Sequence, residues 1–259
     1  MNYVDCRNTV ENTNMENKPV MSYTAVDLET TGLNAKKDKM IEIGAARVRN
    51  GQVTDTYTTL VRPGRILQET ITELTGITDD MLIGAKEPKL AITELLDFLG
   101  DDVLLGHCIL FDYSFIKRCA VNHGFMYEAL AIDTLKIARK YLPDLPSRSL
   151  PYLCEYYGIR RRSHRALEDV MATVELYGKL CEAYYDHTDI FVPLKQICQV
   201  KRESPATKQQ KENLYKYIKN RGIKVDYDIE TLTRNEASRN MDYLILQYGR
   251  LSKEKKDSD

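Results

Sequence analysis

Two acidic residues, Asp27 and Glu29, stand two positions apart at the end of a short β-prone run, residues 23–28. Residues i and i+2 of a strand point to the same face, so both carboxylates are expected to project together. Like charges held that close are unfavourable unless a cation neutralises them, and hard ions such as Mg²⁺ favour oxygen ligands. The pair therefore predicts a divalent-metal site. Its signal is weak alone, since Asp228 and Glu230 repeat the spacing without a strand before them.

Two more carboxylates and a histidine lie at the ends of other predicted elements. Asp112 follows a buried strand at 103–106 and opens a helix, where its alternative role is to cap that helix. Asp169 lies one turn into a long helix, and His164 precedes it by five residues in a loop. Several arginines surround His164, so the alternative for this segment is a solvated basic loop. If the loop folds back, His164 and Asp169 converge on one point.

Together these residues supply what two-metal phosphoryl transfer needs. Two cations about 3.5–4 Å apart clamp the attacking and leaving oxygens of an in-line displacement. A histidine with a pKa near neutrality can take the proton of the attacking water. We therefore expect four carboxylates and one histidine, from distant parts of the chain, to form one acidic site.

Three segments carry a family resemblance, and they occur in the family's order. They are Asp27-x-Glu29-Thr30-Thr31-Gly32, His107 through Phe111-Asp112, and His164-x-Ala166-x-x-Asp169. Over residues 22–183 the chain resembles the DEDDh 3′–5′ exonucleases, a ribonuclease H-like group that includes the proofreading epsilon subunit of bacterial DNA polymerase III. The combination of motifs is far more specific than any one of them.

The resemblance implies a role for each motif residue. Asp27, Glu29, Asp112 and Asp169 would bind two Mg²⁺ or Mn²⁺ ions, and His164 would be the general base. The residues expected to contact the 3′-terminal nucleotides are Leu28, Thr30, Thr31 and Phe111; for Phe111, core packing is the alternative. The residues expected to determine the fold are Ile41, Ile43, Leu74, Ile77, Asp133 and Thr134, with Thr134 capping a helix.

The second motif departs from the family pattern. Asparagine and alanine usually follow its histidine, whereas this chain has Cys108 and Ile109. A thiol cannot replace the donors and the strong acceptor of an amide, so placement of the 3′ end is expected to be looser. A nucleophilic role for Cys108 beside His107 is disfavoured, because neighbours along a chain rarely have catalytic geometry.

The remaining pattern predicts an α/β fold, a ribonuclease H-like mixed sheet flanked by helices. Strands are expected at 23–28, 40–48, 55–61, 103–106 and 131–133, and helices at 89–99, 112–123, 134–142, 149–157 and 166–185. We expect a disordered leader at 1–20, a DEDDh exonuclease domain at 21–186, a linker at 187–206, a small helical module at 207–251 and a charged tail at 252–259. Capping boxes at Thr207 and Thr233 and a closing Gly222 mark the two helices of the module.

Composition sets the broad class. The net charge is −1, but residues 190–259 hold 15 Lys or Arg against 10 Asp or Glu, so the body is acidic and the last quarter is basic. No run reaches the ~18 apolar residues of a membrane span, and no secretory leader is evident. Six scattered cysteines without a C-x-x-C pair are typical of reduced thiols. A cytoplasmic protein without a membrane partner is expected.

We expect a 3′–5′ exonuclease that hydrolyses DNA, from a single-stranded or frayed 3′ end, to nucleoside 5′-monophosphates in proofreading or repair, with a DNA polymerase as candidate partner. Two alternatives stay open. One is a 3′–5′ exoribonuclease acting on RNA ends or short oligoribonucleotides, since Thr30 and Thr31 do not decide how a 2′-hydroxyl is received. The other is a polymerase-associated nucleic-acid-binding subunit with vestigial activity.

Overall fold

The structure is a computed structural model that describes residues 19–161, 165–185, 189–225 and 227–251. The predicted leader lies outside the described residues except for Pro19 and Val20, and the predicted charged tail, 252–259, lies outside them entirely. Within the described part of the chain, no helix has both the length and the apolar character needed to cross a membrane.

Six strands form one mixed sheet in the order β3-β2-β1-β4-β5-β6. β1 runs antiparallel to β2 and parallel to β4, and β4 runs parallel to β5. The two edge strands are antiparallel to their neighbours: β3 pairs with β2, and β6 pairs with β5. The strands are β1 (Tyr23–Thr30), β2 (Met40–Arg49), β3 (Gln52–Leu60), β4 (Leu104–Gly106), β5 (Leu130–Asp133) and β6 (Leu194–Lys195). The first three strands form an antiparallel meander, and β1 lies in the interior of the sheet.

Helices cover both faces of this sheet. The helices in the described residues are α1 (Glu69–Thr75), α2 (Pro88–Leu99), α3 (Leu110–Asn122), α4 (Thr134–Tyr141), α5 (Leu150–Tyr157), α6 (Ala166–Tyr184), α7 (Lys208–Arg221) and α8 (Arg234–Tyr248). One core layer contains α4, α5 and α6, and the other contains α2 and α3. The predicted α/β class, with a ribonuclease H-like mixed sheet, is confirmed.

The alternation of side chains along β1 decides which face receives the acidic pair. Tyr23 and Ala25 are buried in the layer of α4, α5 and α6, whereas Val26 and Leu28 are buried against α2 and α3. The odd-numbered positions of β1 therefore face α6. Asp27 and Glu29 follow in the same series, so their carboxylates point toward the helix that carries the third motif.

The structure corrects several details of the predicted elements. A seven-residue helix, α1, precedes Gly76, and its Leu74 side chain is 57% exposed rather than part of the core. Asp133, not Thr134, caps α4, because its side chain accepts the N–H of Leu135. The predicted linker, 187–206, contributes the edge strand β6.

The two helices after residue 206 form their own small core. Both capping boxes are present, at Thr207 and at Thr233, and Gly222 ends α7 with a left-handed φ of 62°. The buried residues that join α7 to α8 are Leu214, Tyr217, Ala237 and Leu244. The module is anchored to the sheet domain by an ion pair between Lys39 and Glu236, and by the N–H of Glu203, which donates to Asn122 at 3.1 Å.

Candidate active site

Three carboxylates converge at the end of β1. Ligand oxygens of Asp27, Glu29 and Asp169 lie within 4.8 Å of one another. Asp169 is in the first turn of α6 and is 7% exposed, while Asp27 and Glu29 are half-buried. The acidic pair of β1 and the aspartate of the third motif thus lie together, as the sequence predicts.

A glycine lets the third carboxylate come this close to the sheet. Asp27 pairs with Gly44 on β2, and a Cβ at Gly44 would lie 2.4 Å from backbone atoms of Ala166 and Leu167. Any side chain there would push the beginning of α6 off the sheet, and Asp169 with it. Gly44 is therefore a positioning residue for the site, and the sequence analysis did not single it out.

A buried glutamate holds the same end of α6. Glu42 is 1% exposed, and its carboxylate accepts the N–H of Ala166 at 3.1 Å and the guanidinium of Arg165 at 2.6 and 2.9 Å. A carboxylate at a helix N-terminus also interacts favourably with the helix dipole. The sequence signal for this role is a carboxylate between two isoleucines, in Ile41-Glu42-Ile43 of β2, which the expectations above do not include.

Asp112 joins the site through the backbone of β1. On the β1 side, β4 pairs with Thr24 and Ala25, so β1 extends beyond β4. The N–H of Leu28 then donates to Oδ1 of Asp112 at 3.1 Å. Asp112 is 3% exposed and lies inside the first turn of α3, so it does not cap that helix. It lies outside the 4.8 Å group, although its charge acts on Asp27.

The site is short of positive charge. Removal from water, followed by the charges of Asp112 and Asp169, raises the pKa of Asp27 well above its ordinary value. The same desolvation, then Asp169 and Glu42, raises the pKa of Glu29 to about 7. Desolvation also raises the pKa of Asp112, against two backbone hydrogen bonds that lower it. Clustered carboxylates with raised pKa values are typical of functional sites.

One arginine partly compensates this charge. The guanidinium of Arg161 forms a two-point ion pair with Asp169, with Nη2 2.7 Å from Oδ2 and Nε on Oδ1. Arg165 pairs with Glu42. Both arginines of the predicted basic loop are therefore paired with carboxylates; the Arg161 side chain is only 12% exposed, whereas that of Arg165 is 51% exposed.

The donor set fits a hard divalent cation. All ligand atoms are carboxylate oxygens, which suits Mg²⁺ or Mn²⁺ rather than a thiolate- or imidazole-seeking metal. The uncompensated carboxylates of Asp27 and Glu29 are the groups that such an ion would neutralise. The end of β1 therefore has the oxygen ligands to hold such an ion.

The predicted substrate-contacting residues surround this point but are also held by the fold. The hydroxyl of Thr30 donates to the carbonyl of Gly32 at 2.8 Å, and that of Thr31 accepts the N–H of Lys39 at 3.0 Å. Leu28 is buried and its N–H is taken by Asp112. Phe111 is half-buried, with its ring centroid 5.0 Å from that of Phe115. Direct nucleotide contacts by these four residues stay a prediction.

Two further motif positions need separate comment. His164, the predicted general base, lies outside the described residues. Cys108 is exposed and has a left-handed backbone with φ of 71°, and its N–H donates to Asp133 at 3.0 Å. Asparagine tolerates this conformation far better than most residues. The family's asparagine therefore has a conformational reason to stand at this position, besides any amide contact.

His107 serves the fold rather than a cysteine nucleophile. Its Nδ1 lies 2.9 Å from the hydroxyl of Thr134, and its Nε2 lies 2.8 Å from the carbonyl of Arg148. Both ring nitrogens are thus engaged away from Cys108, and burial lowers the pKa of His107. The ring links the second-motif loop to the segments around α4 and α5.

Known proteins share this domain. The family described as Exonuclease (RNase_T) matches residues 24–177, more than half of the chain. The DNA polymerase III subunit epsilon of Aquifex aeolicus is 36% identical over 163 residues, which cover 62% of this chain and 81% of that protein. The PolC-type DNA polymerase III of Thermotoga maritima is 31% identical over 241 residues, covering 87% of this chain but only 17% of that protein.

Solved structures agree on the fold. Exonuclease I of E. coli, in complex with a dT13 oligonucleotide, superposes with a TM-score of 0.56 at 20% identity, covering 62% of this chain and 41% of that chain. Exonuclease X in complex with 5′ overhanging duplex DNA superposes with a TM-score of 0.51 at 23% identity, covering 62% of this chain and 92% of that chain. With the carboxylate site and the sequence relatives, these findings show that the chain belongs to the exonuclease family, as a 3′–5′ exonuclease of the DEDDh type.

Proposed function

We propose that the protein removes nucleotides one at a time from the 3′ end of DNA and releases nucleoside 5′-monophosphates. The observation that carries this proposal is the convergence of Asp27, Glu29 and Asp169 within 4.8 Å at the end of β1. Three carboxylates that share a desolvated position repel one another in the absence of a divalent cation. Their joint placement is therefore better explained by metal-dependent phosphodiester hydrolysis than by stability.

Each residue has a distinct part in this proposal. Asp27, Glu29 and Asp169 bind two divalent cations, Mg²⁺ or Mn²⁺, with Asp112 as the fourth ligand. When bound, the cations supply positive charge to the attacking and leaving oxygens. We assign the general base to His164 from its place in the third motif.

The fold residues hold these ligands in place. Gly44 and Glu42 fix the start of α6 and so the position of Asp169. The N–H of Leu28 orients Asp112. We assign contact with the terminal bases to Phe111, at the start of α3, and contact with the 3′-terminal nucleotide to Thr30, the last residue of β1, and to Thr31 after it.

The names of the related proteins are the reason for proposing DNA as the substrate. The sequence relatives carry the names of DNA polymerase III subunits, and the structural neighbours were solved with DNA oligonucleotides. These names support proofreading or repair as the setting, a replicative DNA polymerase as the partner and the cytoplasm as the location. No observation on this chain favours an RNA substrate.

A strand-shortening assay tests the proposal. The substrates are 5′-labelled single-stranded DNA, paired DNA, DNA with a 3′ mismatch, and RNA of matched sequence. We expect a ladder that shortens from the 3′ end with Mg²⁺ or Mn²⁺, digestion of DNA faster than RNA, and no digestion with EDTA. Glu29→Ala should lower turnover by about a hundredfold or more, in the range seen for removal of electrostatic stabilisation.

The second Asp-x-Glu sequence provides a matched control. Glu230→Ala removes an exposed glutamate that pairs with Lys211, far from the site, and it should digest DNA like the unaltered protein. Equal activity in Glu29→Ala and Glu230→Ala would refute the assignment. Release of the 5′ label as a mononucleotide, without labelled intermediates of decreasing length, would refute the direction.

A further inference from the structure

A large cleft separates the C-terminal helical module from the exonuclease domain. Its volume is about 910 Å³, near the upper end of the range of about 300–1,000 Å³ for ligand sites. One wall is the β1–β2 loop and the start of α2, and the other includes α8 and the segment between α7 and α8. The ion pair between Lys39 and Glu236 and the contact between Arg118 and Glu203, at 3.7 Å, bridge the two walls. The cleft is therefore built by the attachment of the module.

The lining of the cleft is basic although the chain as a whole is slightly acidic. Among the described residues, nine Lys or Arg and five Asp or Glu line it. Four of these carboxylates pair with cleft cations: Asp38 with Arg65, Glu87 with Arg62, Glu203 with Arg118, and Glu236 with Lys39. Five lining cations have no ion-pair partner within the described ranges: Lys36, Lys89, Arg202, Lys224 and Arg239. This surplus is available to an anionic ligand.

Paired and unpaired cations of the cleft come from separate segments and act on the same region. Besides burial, the charges of Lys39, Lys89 and Arg202 lower the pKa of His123, against an opposing effect of Glu236. His123 itself lines the cleft. A cationic region gathered from both walls favours a ligand with several phosphates spaced along its length.

Aromatic rings stand beside the charges. Tyr243 and Tyr248 on α8 line the cleft, and they are 39% and 44% exposed. Single-stranded nucleic acid is bound without sequence preference by grooves that combine cations for the backbone with aromatic rings on which bases stack. The cleft offers both, whereas a duplex would bring its bases already stacked and paired.

Residues next to the active-site segments line the cleft. Thr31, two residues after Glu29, is one of them, and Phe115, whose ring centroid is 5.0 Å from that of Phe111, is another. We propose that the cleft holds single-stranded DNA on the 5′ side of the nucleotide being removed, so that the module feeds the 3′ end to the carboxylates. This inference rests on the proposed function for the polarity of the strand.

A pair of charge-reversal variants tests this role. Arg202→Glu/Lys224→Glu changes two exposed, unpaired cleft cations. Lys208→Glu/Lys216→Glu makes the same charge change on exposed positions of α7 that do not line the cleft. The probe is fluorescein-labelled dT12, bound to the full chain in EDTA and followed by anisotropy at several salt concentrations. Thermal melting of both variants checks that they fold.

We expect the cleft variant to bind dT12 at least about tenfold more weakly than the α7 variant, with a shallower salt dependence, because phosphate contacts are lost. With Mg²⁺, the ratio of kcat/KM for dT12 to that for the dinucleotide dTdT should fall in the cleft variant and not in the α7 variant. Equal binding and equal ratios would overturn the proposal. A 12-base-pair duplex that binds as tightly as dT12 would overturn the single-strand assignment.

The two proposals fail in different ways. If the unaltered protein digests neither dT12 nor dTdT with Mg²⁺ or Mn²⁺, the proposed function is wrong, and the binding comparison in EDTA still decides whether the cleft holds single-stranded DNA. If digestion is normal but the cleft variant matches the α7 variant, only the cleft is wrong.

Discussion

Arg161 holds the carboxylate of Asp169 at both of its oxygens, in an ion pair that is almost completely buried. Asp169 also belongs to the group of three carboxylates that lie within 4.8 Å of one another. The guanidinium thus occupies a position beside the ligands that a divalent cation needs. Arg161 provides part of the positive charge that a metal ion would otherwise supply, and it competes with that ion for Asp169.

Arg161→Gln should strengthen metal binding and weaken the metal-free fold. Loss of the competing charge is expected to tighten Mn²⁺ binding by on the order of tenfold, since a nearby unit charge is worth ~1–4 kcal/mol. Removal of one partner of a buried pair costs about 3–5 kcal/mol, so the melting temperature in EDTA should fall. Titration calorimetry and thermal melting measure the two effects. Arg160→Gln, at the exposed neighbouring residue, is the control, and unchanged or weaker Mn²⁺ binding in Arg161→Gln would contradict this account.

Gly44→Ala, on the strand β2 that pairs with β1, should abolish metal binding at the site. The added methyl group would meet the backbone at Ala166 and Leu167, so α6 must shift. We expect a loss of about 1–3 kcal/mol or more in unfolding free energy and loss of Mn²⁺ binding, measured by urea denaturation and calorimetry. Gly178→Ala is the matched control, because its Cβ meets nothing within 4 Å inside α6 and should stabilise the helix by about 0.5–1 kcal/mol. If both variants bind Mn²⁺ equally, the close approach at Gly44 does not position Asp169.

Cys108→Asn should make the protein more stable. Cys108 has a positive φ, which costs a residue with a Cβ about 1–2 kcal/mol and is tolerated much better by asparagine. We expect a gain of roughly 0.5–1 kcal/mol in urea unfolding. Cys108→Ala retains the Cβ and should leave stability nearly unchanged. A gain in Cys108→Ala as large as that in Cys108→Asn would show that the thiol, not the backbone conformation, is unfavourable.

The stabilisation of the folded protein by divalent metal ions should increase as the pH rises. The folded metal-free protein raises the pKa of Glu29 to about 7 and that of Asp27 as well. Between the ordinary carboxyl pKa of about 4.3 and about 7, the folded state therefore binds more protons than the unfolded state. Its stability without metal should fall as the pH rises through this range.

Divalent cations require the ionised carboxylates, so the increase in melting temperature caused by Mg²⁺ should be larger at pH 8 than at pH 5.5. Melting curves with Mg²⁺ and with EDTA at both pH values measure the effect. An Asp27→Asn variant should show little Mg²⁺ stabilisation at either value. The same Mg²⁺-dependent shift at both pH values in the unaltered protein would speak against raised carboxyl pKa values.

The sequence was sufficient for the parts of the site that depend on local periodicity. Two-residue spacing on β1 put Asp27 and Glu29 on one face, and motif order identified Asp169 at the start of α6. Most strands and helices agree with the patterns, because their apolar spacing is regular. Two elements are exceptions. The helix α1 is short, has no side-chain N-cap and exposes Leu74, and the strand β6 has only two residues, so both leave almost no periodic signal.

Other features depend on contacts that no local pattern contains. The bond from Leu28 to Asp112 exists because β4 is shorter than β1. The pairing of Arg161 with Asp169 joins two residues that lie eight positions apart, on either side of the start of α6. The cleft depends on how the module meets the sheet domain, through pairs such as Lys39 and Glu236 that lie 197 residues apart.

The central claim is that Asp27, Glu29, Asp112 and Asp169 jointly bind divalent cations for hydrolysis. Crystals grown with Mn²⁺ and thymidine 5′-monophosphate, measured at the manganese absorption edge, test it most directly. We predict two anomalous peaks at the end of β1, each within coordination distance of these carboxylates, with the nucleotide phosphate on the same ions. Data that show the nucleotide bound but no manganese at these four residues would contradict the account.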